Sequence, residues 1–98
     1  LYKGEGIKKN KKEALQYFKL GVKQKYVESI YYYGLMLYEG EGIEQAKKAA
    51  SRYFKKAADQ GHFESIKKIA NMLNEGDGIE KNKKEASRYY KLASNNNE

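Results

Sequence analysis

A four-residue segment of the form Gly-acid-Gly-Ile occurs three times in this chain of 98 residues. The copies begin at Gly4, Gly40 and Gly76, so that each lies 36 residues from the next. Other residues recur at the same interval, namely Tyr17-Phe18, Tyr53-Phe54 and Tyr89-Tyr90, and Ala14, Ala50 and Ala86. A fixed period of this length is typical of a stacked repeat array. The chain is therefore predicted to fold as repeating units that pack on their neighbours.

Each Gly-acid-Gly segment lies between two runs of apolar residues with helical spacing, as expected of a turn. Glycine reaches positive φ without steric cost, and the Ile that follows can pack beneath the turn. A phosphate-binding loop is the alternative. The segment lacks the longer glycine spacing, the preceding strand and the lysine of a nucleotide-binding loop. Recurrence at three equivalent points favours the turn.

Two kinds of amphipathic helix alternate along the chain. The B helices are predicted over about 11–24, 47–60 and 83–94, and the first has the apolar stripe Ala14, Tyr17, Phe18, Gly21 and Val22. The A helices are predicted over about 27–39 and 63–75, with the stripes Ile30, Tyr33, Gly34 and Leu37, then Ile66, Ile69, Ala70 and Leu73. Glycine inside a helix costs up to about 1 kcal/mol relative to alanine, so a close helix crossing is expected at Gly34. The predicted fold is all-α, a right-handed superhelical stack of antiparallel helix pairs, which is an α/α solenoid.

The starts of the B helices carry capping signals. Asn10 with Glu13, and Asn82 with Glu85, have the spacing of a capping box. The middle copy has Ala46 in place of the asparagine, so its helix is predicted to start less sharply.

Composition excludes several classes of function. The chain has no cysteine, which removes disulfides, thiolate chemistry and cysteine metal sites. His62 is the only histidine, and alone it can neither anchor a zinc site nor form a catalytic pair. No apolar run approaches the roughly 18–20 residues of a membrane span. Neither an enzyme nor a cofactor or metal is therefore predicted. Absence of cysteine favours a reducing compartment such as the cytoplasm but does not determine the localisation.

The formal net charge of +7 is concentrated near the N-terminus, where residues 1–29 hold eight lysines and three glutamates. Such a surplus suits acidic partners, although a general abundance of Lys, Asn, Tyr and Ile would also produce it. Binding of nucleic acid is disfavoured, because the chain has only two arginines and most surplus charge lies away from the tyrosine cluster at 31–38.

One full copy of the unit contains Gly34-Leu35-Met36-Leu37, Gly40-Glu41-Gly42-Ile43, Ala50, Tyr53 and Ala57-Ala58-Asp59-Gln60-Gly61. These residues resemble the Sel-1-like repeat, a relative of the tetratricopeptide repeat. The chain departs from that pattern at Leu37 and Leu73, which replace a tyrosine, and at Lys25, which replaces the closing glycine. The resemblance implies a non-catalytic scaffold or adaptor, as found in signalling and in endoplasmic-reticulum quality control.

The resemblance covers residues 1–98 as a single domain. It divides into a partial first repeat at 1–29 without its A helix, a full repeat at 30–65 and a third repeat at 66–98 with a frayed tail. Because the chain begins with Leu1 in the middle of a repeat, we expect it to be a fragment of a longer protein. Without the missing A helix, Tyr17 and Phe18 are predicted to be partly uncovered. Self-association or fraying of the first B helix would follow.

In helix-pair solenoids the A helices line a concave surface that takes partners. Eight residues lie off the apolar stripes of the A helices and are predicted to bind a protein or peptide: Tyr31, Tyr32, Leu35, Tyr38, Lys67, Lys68, Asn71 and Asn74. Tyrosine is a common interface anchor, and the neighbouring lysines and asparagines suit an extended, acidic peptide.

Three alternatives stay open at this point. The eight residues could serve packing between repeats and a solvated face. The module could be a structural spacer beside an enzyme domain, such as a kinase, elsewhere in the parent protein. It could also bind nucleic acid or an acidic membrane electrostatically.

Overall fold

The computed structural model describes the backbone of residues 7–96 and the side chains of residues 11–95. This part of the chain is all-α and contains five helices: α1 at Ile7–Lys23, α2 at Val27–Glu39, α3 at Lys47–Asp59, α4 at Phe63–Glu75 and α5 at Lys83–Asn96. The A helices, α2 and α4, have the predicted bounds. The B helices, α1, α3 and α5, lie where the repeat places them, and the predicted helical repeat architecture is confirmed.

The helices pack in chain order. Within a repeat α2 packs on α3, and α4 on α5; between repeats α1 packs on α2, and α3 on α4. The larger core spans α2 to α5 and includes Phe54, Ile66, Ile69 and Ala70, none of which has exposed surface. A smaller cluster joins α1 to α2 through Leu15, Phe18 and Met36. None of the five helices is long and apolar enough to cross a membrane.

The Gly-acid-Gly segments after α2 and α4 are turns, as predicted. Gly40 and Gly76 cap the two helices in the left-handed region, with φ of 75° and 70°. Ile43 and Ile79 follow the turns and pack against the larger core. The first copy, at Gly4, lies outside the described residues.

Gly34 lies at a close crossing of α2 and α3. A β-carbon at this position would lie 2.9 Å from Phe54 Cε1 and 3.2 Å from Tyr53 Cβ. The predicted close crossing is therefore confirmed. The packing of the two helices there compensates for the low helix propensity of glycine.

The capping predictions are only partly correct. Asn82 Oδ1 accepts the backbone N–H of Glu85 at 3.0 Å, whereas the Glu85 side chain faces Arg88 at 3.6 Å instead of closing the capping box. The Asn82 backbone N–H donates to Leu73 O at 2.8 Å, and Ala46 N–H donates to Leu37 O at the same distance. This backbone bond to the preceding A helix is therefore shared by the start of α3, which has no side-chain cap, and the start of α5, which has one.

One capping prediction is wrong and one is untested. α3 begins at Lys47, the repeat equivalent of Lys83 at the start of α5, and its N-cap Ala46 makes no side-chain hydrogen bond, so its less sharp start stays a prediction. Asn10 does not cap α1, because that helix begins at Ile7 and runs through it. Asparagine costs a helix interior less than about 0.7 kcal/mol, which the hydrogen bonds of an added turn outweigh.

Candidate functional site

Tyr38 and Lys68, two of the eight predicted residues, meet in a network between repeats. The Tyr38 hydroxyl donates a hydrogen bond to the Asp77 carboxylate, and Lys68 Nζ lies 3.7 Å from the centre of the Tyr38 ring. Lys47 Nζ donates to Asp77 Oδ1 at 2.8 Å and lies 4.9 Å from the same ring centre. The network therefore joins the end of α2, the start of α3 and the turn after α4.

The charges of this network are set by its own contacts. The hydrogen bond to Asp77 raises the pKa of Tyr38 to about 12. The hydrogen bond from Lys47, and after it the one from Tyr38, lowers the pKa of Asp77 below its ordinary value of 3.8. At neutral pH Tyr38 is therefore neutral and Asp77 is charged, which maintains both hydrogen bonds.

The acidic residue of the preceding turn makes the equivalent ion pair. Lys11 Nζ lies 2.7 Å from Glu41 Oε1, and this pair stands one repeat before Lys47 and Asp77. The second glycine of each turn allows the approach, because a β-carbon on Gly78 would lie 2.3 Å from Lys47 Cβ. The recurring Gly-acid-Gly segment thus has two roles: it forms the turn, and it packs that turn against the preceding B helix.

Tyr31 is half-buried at the junction of α2 and α4. Its ring centre lies 4.8 Å from that of His62 and 5.8 Å from that of Phe54, and burial raises its pKa. His62 is the N-cap of α4, with Nδ1 accepting the Ser65 N–H at 3.3 Å and Nε2 3.7 Å from Glu28 Oε2. The sequence interpretation missed this role, since histidine is not a usual capping residue.

Four of the remaining predicted residues contact different parts of the fold. Tyr32 stacks on Phe18 of α1 with ring centres 5.3 Å apart, and Leu35 packs against the larger core. Asn71 accepts a hydrogen bond from the Tyr90 hydroxyl of α5. Lys67 Nζ lies 4.9 Å from the centre of the Phe63 ring and 3.9 Å from Glu64. Asn74 is half-buried.

The eight residues therefore do not form one open aromatic ladder. Lys67 and Asn71 are exposed, whereas the other six are half-buried. Most of the aromatic surface serves contacts between helices, and the open part of this face lies on α4. All of these contacts lie within the chain, so binding of a partner at this face stays a prediction.

The charge of the A helices does not favour an acidic partner. α2 carries two glutamates and no lysine or arginine, and α4 carries two glutamates and two lysines. Lys68, one of these two, already lies against the Tyr38 ring. Across the two helices four glutamates outnumber two lysines, so an acidic ligand would meet more negative than positive charge.

The predicted uncovering of α1 is correct for one residue of the pair. Tyr17 is 58% exposed and Leu20 is 56% exposed, but Phe18 is only 7% exposed because it lies under the Tyr32 ring. The expectation for Phe18 is therefore wrong. Self-association through α1 stays a prediction.

Within the described part of the chain, no three His, Cys, Asp or Glu residues are grouped so that they could hold a metal ion.

The family model and the similar solved structures agree on one family. The model of the Sel1 repeat matches residues 1–26, 27–62 and 64–98, while no curated protein matches significantly. The fold is similar to that of a Sel1 repeat protein from Oxalobacter formigenes, with a TM-score of 0.87, 27% identity, and coverage of 97% of this chain and 39% of that one.

A second similar structure is a protective antigen present in uropathogenic Escherichia coli strains, which displays an SLR fold. Its TM-score is 0.88 and its identity 26%, over 96% of this chain and 20% of that protein. This chain thus spans well under half the length of either protein. Three matched repeats with the helices, turns and docking contacts described above show that the chain belongs to the Sel1 repeat family.

Proposed function

We propose that the face formed by α2 and α4 binds a protein partner, and that the chain acts as a non-catalytic adaptor or scaffold. Sel1 repeat proteins are generally protein-interaction modules, and their fold is typically a non-enzymatic scaffold. The observation that carries the proposal is the continuation of half-buried tyrosines on α2 into exposed polar side chains on α4.

The contact surface follows one stripe on each helix. Tyr31, Leu35 and Tyr38 are spaced by four and three residues and so share one face of α2. Lys67, Asn71 and Asn74 occupy the equivalent stripe of α4. Tyr32 and Lys68 stand one position from these stripes and, by their contacts with Phe18 and Tyr38, act mainly as supports.

The tyrosines of this face are held before any partner arrives. Tyr31 is fixed between His62 and Phe54, and Tyr38 is fixed by Asp77 and Lys68. Ordering a side chain at an interface costs about 0.5–1.5 kcal/mol, so rings that are already ordered favour binding. Their partly exposed edges supply contact area, and Lys67 and Asn71 supply exposed polar groups for orientation.

Site-specific photo-crosslinking tests the proposal. A benzophenone amino acid placed at position 67 or 71 of α4 is irradiated in source-cell lysate, with position 84 of α5 as the matched exposed control. We expect discrete protein adducts at 67 and 71 that are absent at 84. Positions 67 and 71 are chosen because their side chains are exposed, whereas Tyr32 and Lys68 are half-buried against Phe18 and Tyr38.

Equal labelling at positions 67, 71 and 84, or no adduct at any of them, would argue against binding at this face. The structural spacer would then be the better interpretation. Adducts that disappear after nuclease treatment would instead favour electrostatic binding of nucleic acid.

A further inference from the structure

The two kinds of helix differ in the sign of their charge. The B helices α1, α3 and α5 carry six, five and four lysines or arginines and one acidic residue each. The A helices together carry two lysines and four glutamates. A surface needs charge of either sign for solubility, so solvation alone does not explain why the basic residues are concentrated in the B helices.

A cleft of about 440 Å³ lies on this basic side, between α3 and the segment that leads into α5. One wall is formed by Lys48, Ser51, Arg52 and Lys55 of α3, and the other by Glu80, Lys81, Asn82 and Glu85. Half-buried Ile79 adds apolar surface between the walls, together with the small exposed part of Leu73. The three cations of α3 share one helix face and span roughly 10 Å along its axis.

Among the described side chains, no carboxylate lies within ion-pair distance of Lys48, Arg52 or Lys55. Their neighbour Lys47, by contrast, is held by Asp77 at 2.8 Å. The cleft thus presents a row of free positive charge beside an apolar strip.

We propose that this cleft binds an acidic segment of a partner protein. Carboxylates of the segment would pair with Lys48, Arg52 and Lys55, and an apolar side chain would cover Leu73 and Ile79. Charge complementarity of this kind steers association and selects the partner. The site lies on other helices than the proposed A-helix interface, so the two can be tested separately.

The opposite wall favours a peptide over other polyanions. Glu80 and Glu85 would repel a continuous phosphate backbone, whereas a peptide can place carboxylates on one wall and polar or basic groups on the other. A sugar-phosphate chain also lacks an apolar side chain that could cover Leu73 and Ile79. A recessed cleft with two walls also matches a side chain better than the plane of an anionic bilayer.

Selection from a displayed library of random peptides, about twelve residues long, tests the proposal. Peptides are selected on the wild-type chain at about 0.15 M salt, where exposed charges are screened beyond about 8 Å. The peptide recovered most often is synthesised with a fluorophore, and its affinity is measured by anisotropy. We expect enrichment of Asp and Glu together with one or more large apolar residues.

The variant K48E/R52E/K55E should bind this peptide about tenfold more weakly or worse. The matched control K12E/K19E/K91E makes the same change in net charge at exposed positions of α1 and α5 outside the cleft and should bind like wild type. Amide shifts in wild type at 48–55 and 79–85 on addition of the peptide would locate the site without relying on a variant.

Four results would overturn the proposal. The selected peptides could lack acidic residues, or the two triple variants could lose affinity equally, which indicates net charge alone. Amide shifts confined to α2 and α4 would assign the peptide to the A-helix face. Tighter binding of single-stranded DNA or phosphatidylserine vesicles, lost in the cleft variant, would replace the peptide with another class of ligand.

Discussion

The turns after α2 and α4 have the same backbone but, among the described side chains, different anchors. Gly40 and Gly76 adopt φ of 75° and 70°, and both turns contact the preceding B helix, at Lys11 of α1 and at Lys47 of α3. The acidic residue of the first turn, Glu41, is paired with Lys11. Asp77 is bonded to both Lys47 and Tyr38. Repetition of a sequence thus reproduces a conformation, whereas the neighbours determine how firmly it is held.

The aromatic residue that follows the recurring tyrosine also depends on its neighbours, and its exposed fraction differs strongly between repeats. Phe54 in α3 has no exposed surface, Phe18 in α1 is 7% exposed and Tyr90 in α5 is 40% exposed. These residues are repeat equivalents, 36 positions apart. α3 contacts an A helix on each side, whereas α1 and α5 are each packed against one within the described structure. Position in the array therefore sets burial.

The largest expected effect is at this position. Phe54→Ala should lower the free energy of unfolding by about 3–5 kcal/mol, because it opens a cavity in a fully enclosed site. Tyr90→Ala should cost about 1 kcal/mol, with Phe18→Ala between them. Urea unfolding monitored by circular dichroism measures the three values. Equal losses would show that burial does not follow position in the array.

The next effect concerns the close crossing at Gly34. Gly34→Ala should destabilise the chain by about 1–3 kcal/mol, since the new methyl group would lie 2.9 Å from Phe54 Cε1. Without the crossing the same change would stabilise the helix by up to about 1 kcal/mol. The repeat equivalent Ala70 already has a β-carbon and serves as the reference position. Thermal unfolding decides the sign, and a more stable Gly34→Ala variant would contradict the expectation.

A smaller effect separates the two acidic residues of the turns. Asp77→Asn should cost about 1–2 kcal/mol, because it removes charge from two hydrogen bonds. Glu41→Gln should cost less than about 1 kcal/mol, as for a partly exposed ion pair. Chemical unfolding of both variants at neutral pH makes the comparison, and an equal cost would show that the Tyr38 contact adds nothing.

The pH dependence of the Asp77→Asn effect gives a further check. Because the pKa of folded Asp77 lies below its ordinary value of 3.8, the contribution is complete above about pH 4 and is lost as pH falls through the folded pKa. Because the pKa of folded Tyr38 is about 12 instead of 10.0, its contribution is complete below pH 10 and is lost as pH rises through 12. The difference in stability between wild type and Asp77→Asn should therefore be constant from about pH 5 to 9 and shrink on either side.

The smallest expected effect is a gain. Ala46→Asn introduces at α3 the side-chain cap that Asn82 provides at α5, and should stabilise the chain by about 0.5–1 kcal/mol. Asn82→Ala should lose a similar amount. Melting temperatures of the two variants check the pair, and no change in either would mean that the backbone bond to the preceding A helix suffices.

The local parts of the structure could be predicted because they depend on short spacings. Apolar periodicity located the five helices, and paired glycines located the turns after α2 and α4. Gly34 indicated a close crossing because glycine inside a helix requires a compensation. The capping prediction for Asn10 was wrong, since a side-chain signal competes with hydrogen bonds that the sequence does not display.

The proposed sites could be predicted only in part. Tyr38 and Asp77 lie 39 residues apart, and nothing in either local pattern pairs them. The choice of Tyr32 for the A-helix face did not foresee that its ring would stack on Phe18. The cleft between α3 and α5 was not predicted at all, because it depends on how two B helices are spaced.

By itself the sequence determined the repeat, the helices, the turns and the concentration of basic residues in the B helices. The repeat follows from the period of 36 residues. The helices, the turns and the placement of charge follow from side-chain patterns that are already present within one repeat. The tertiary structure decided which tyrosines are open, which acids are paired and where free positive charge meets apolar surface. Those properties arise between repeats, where the distance between side chains depends on the packing of one unit on the next.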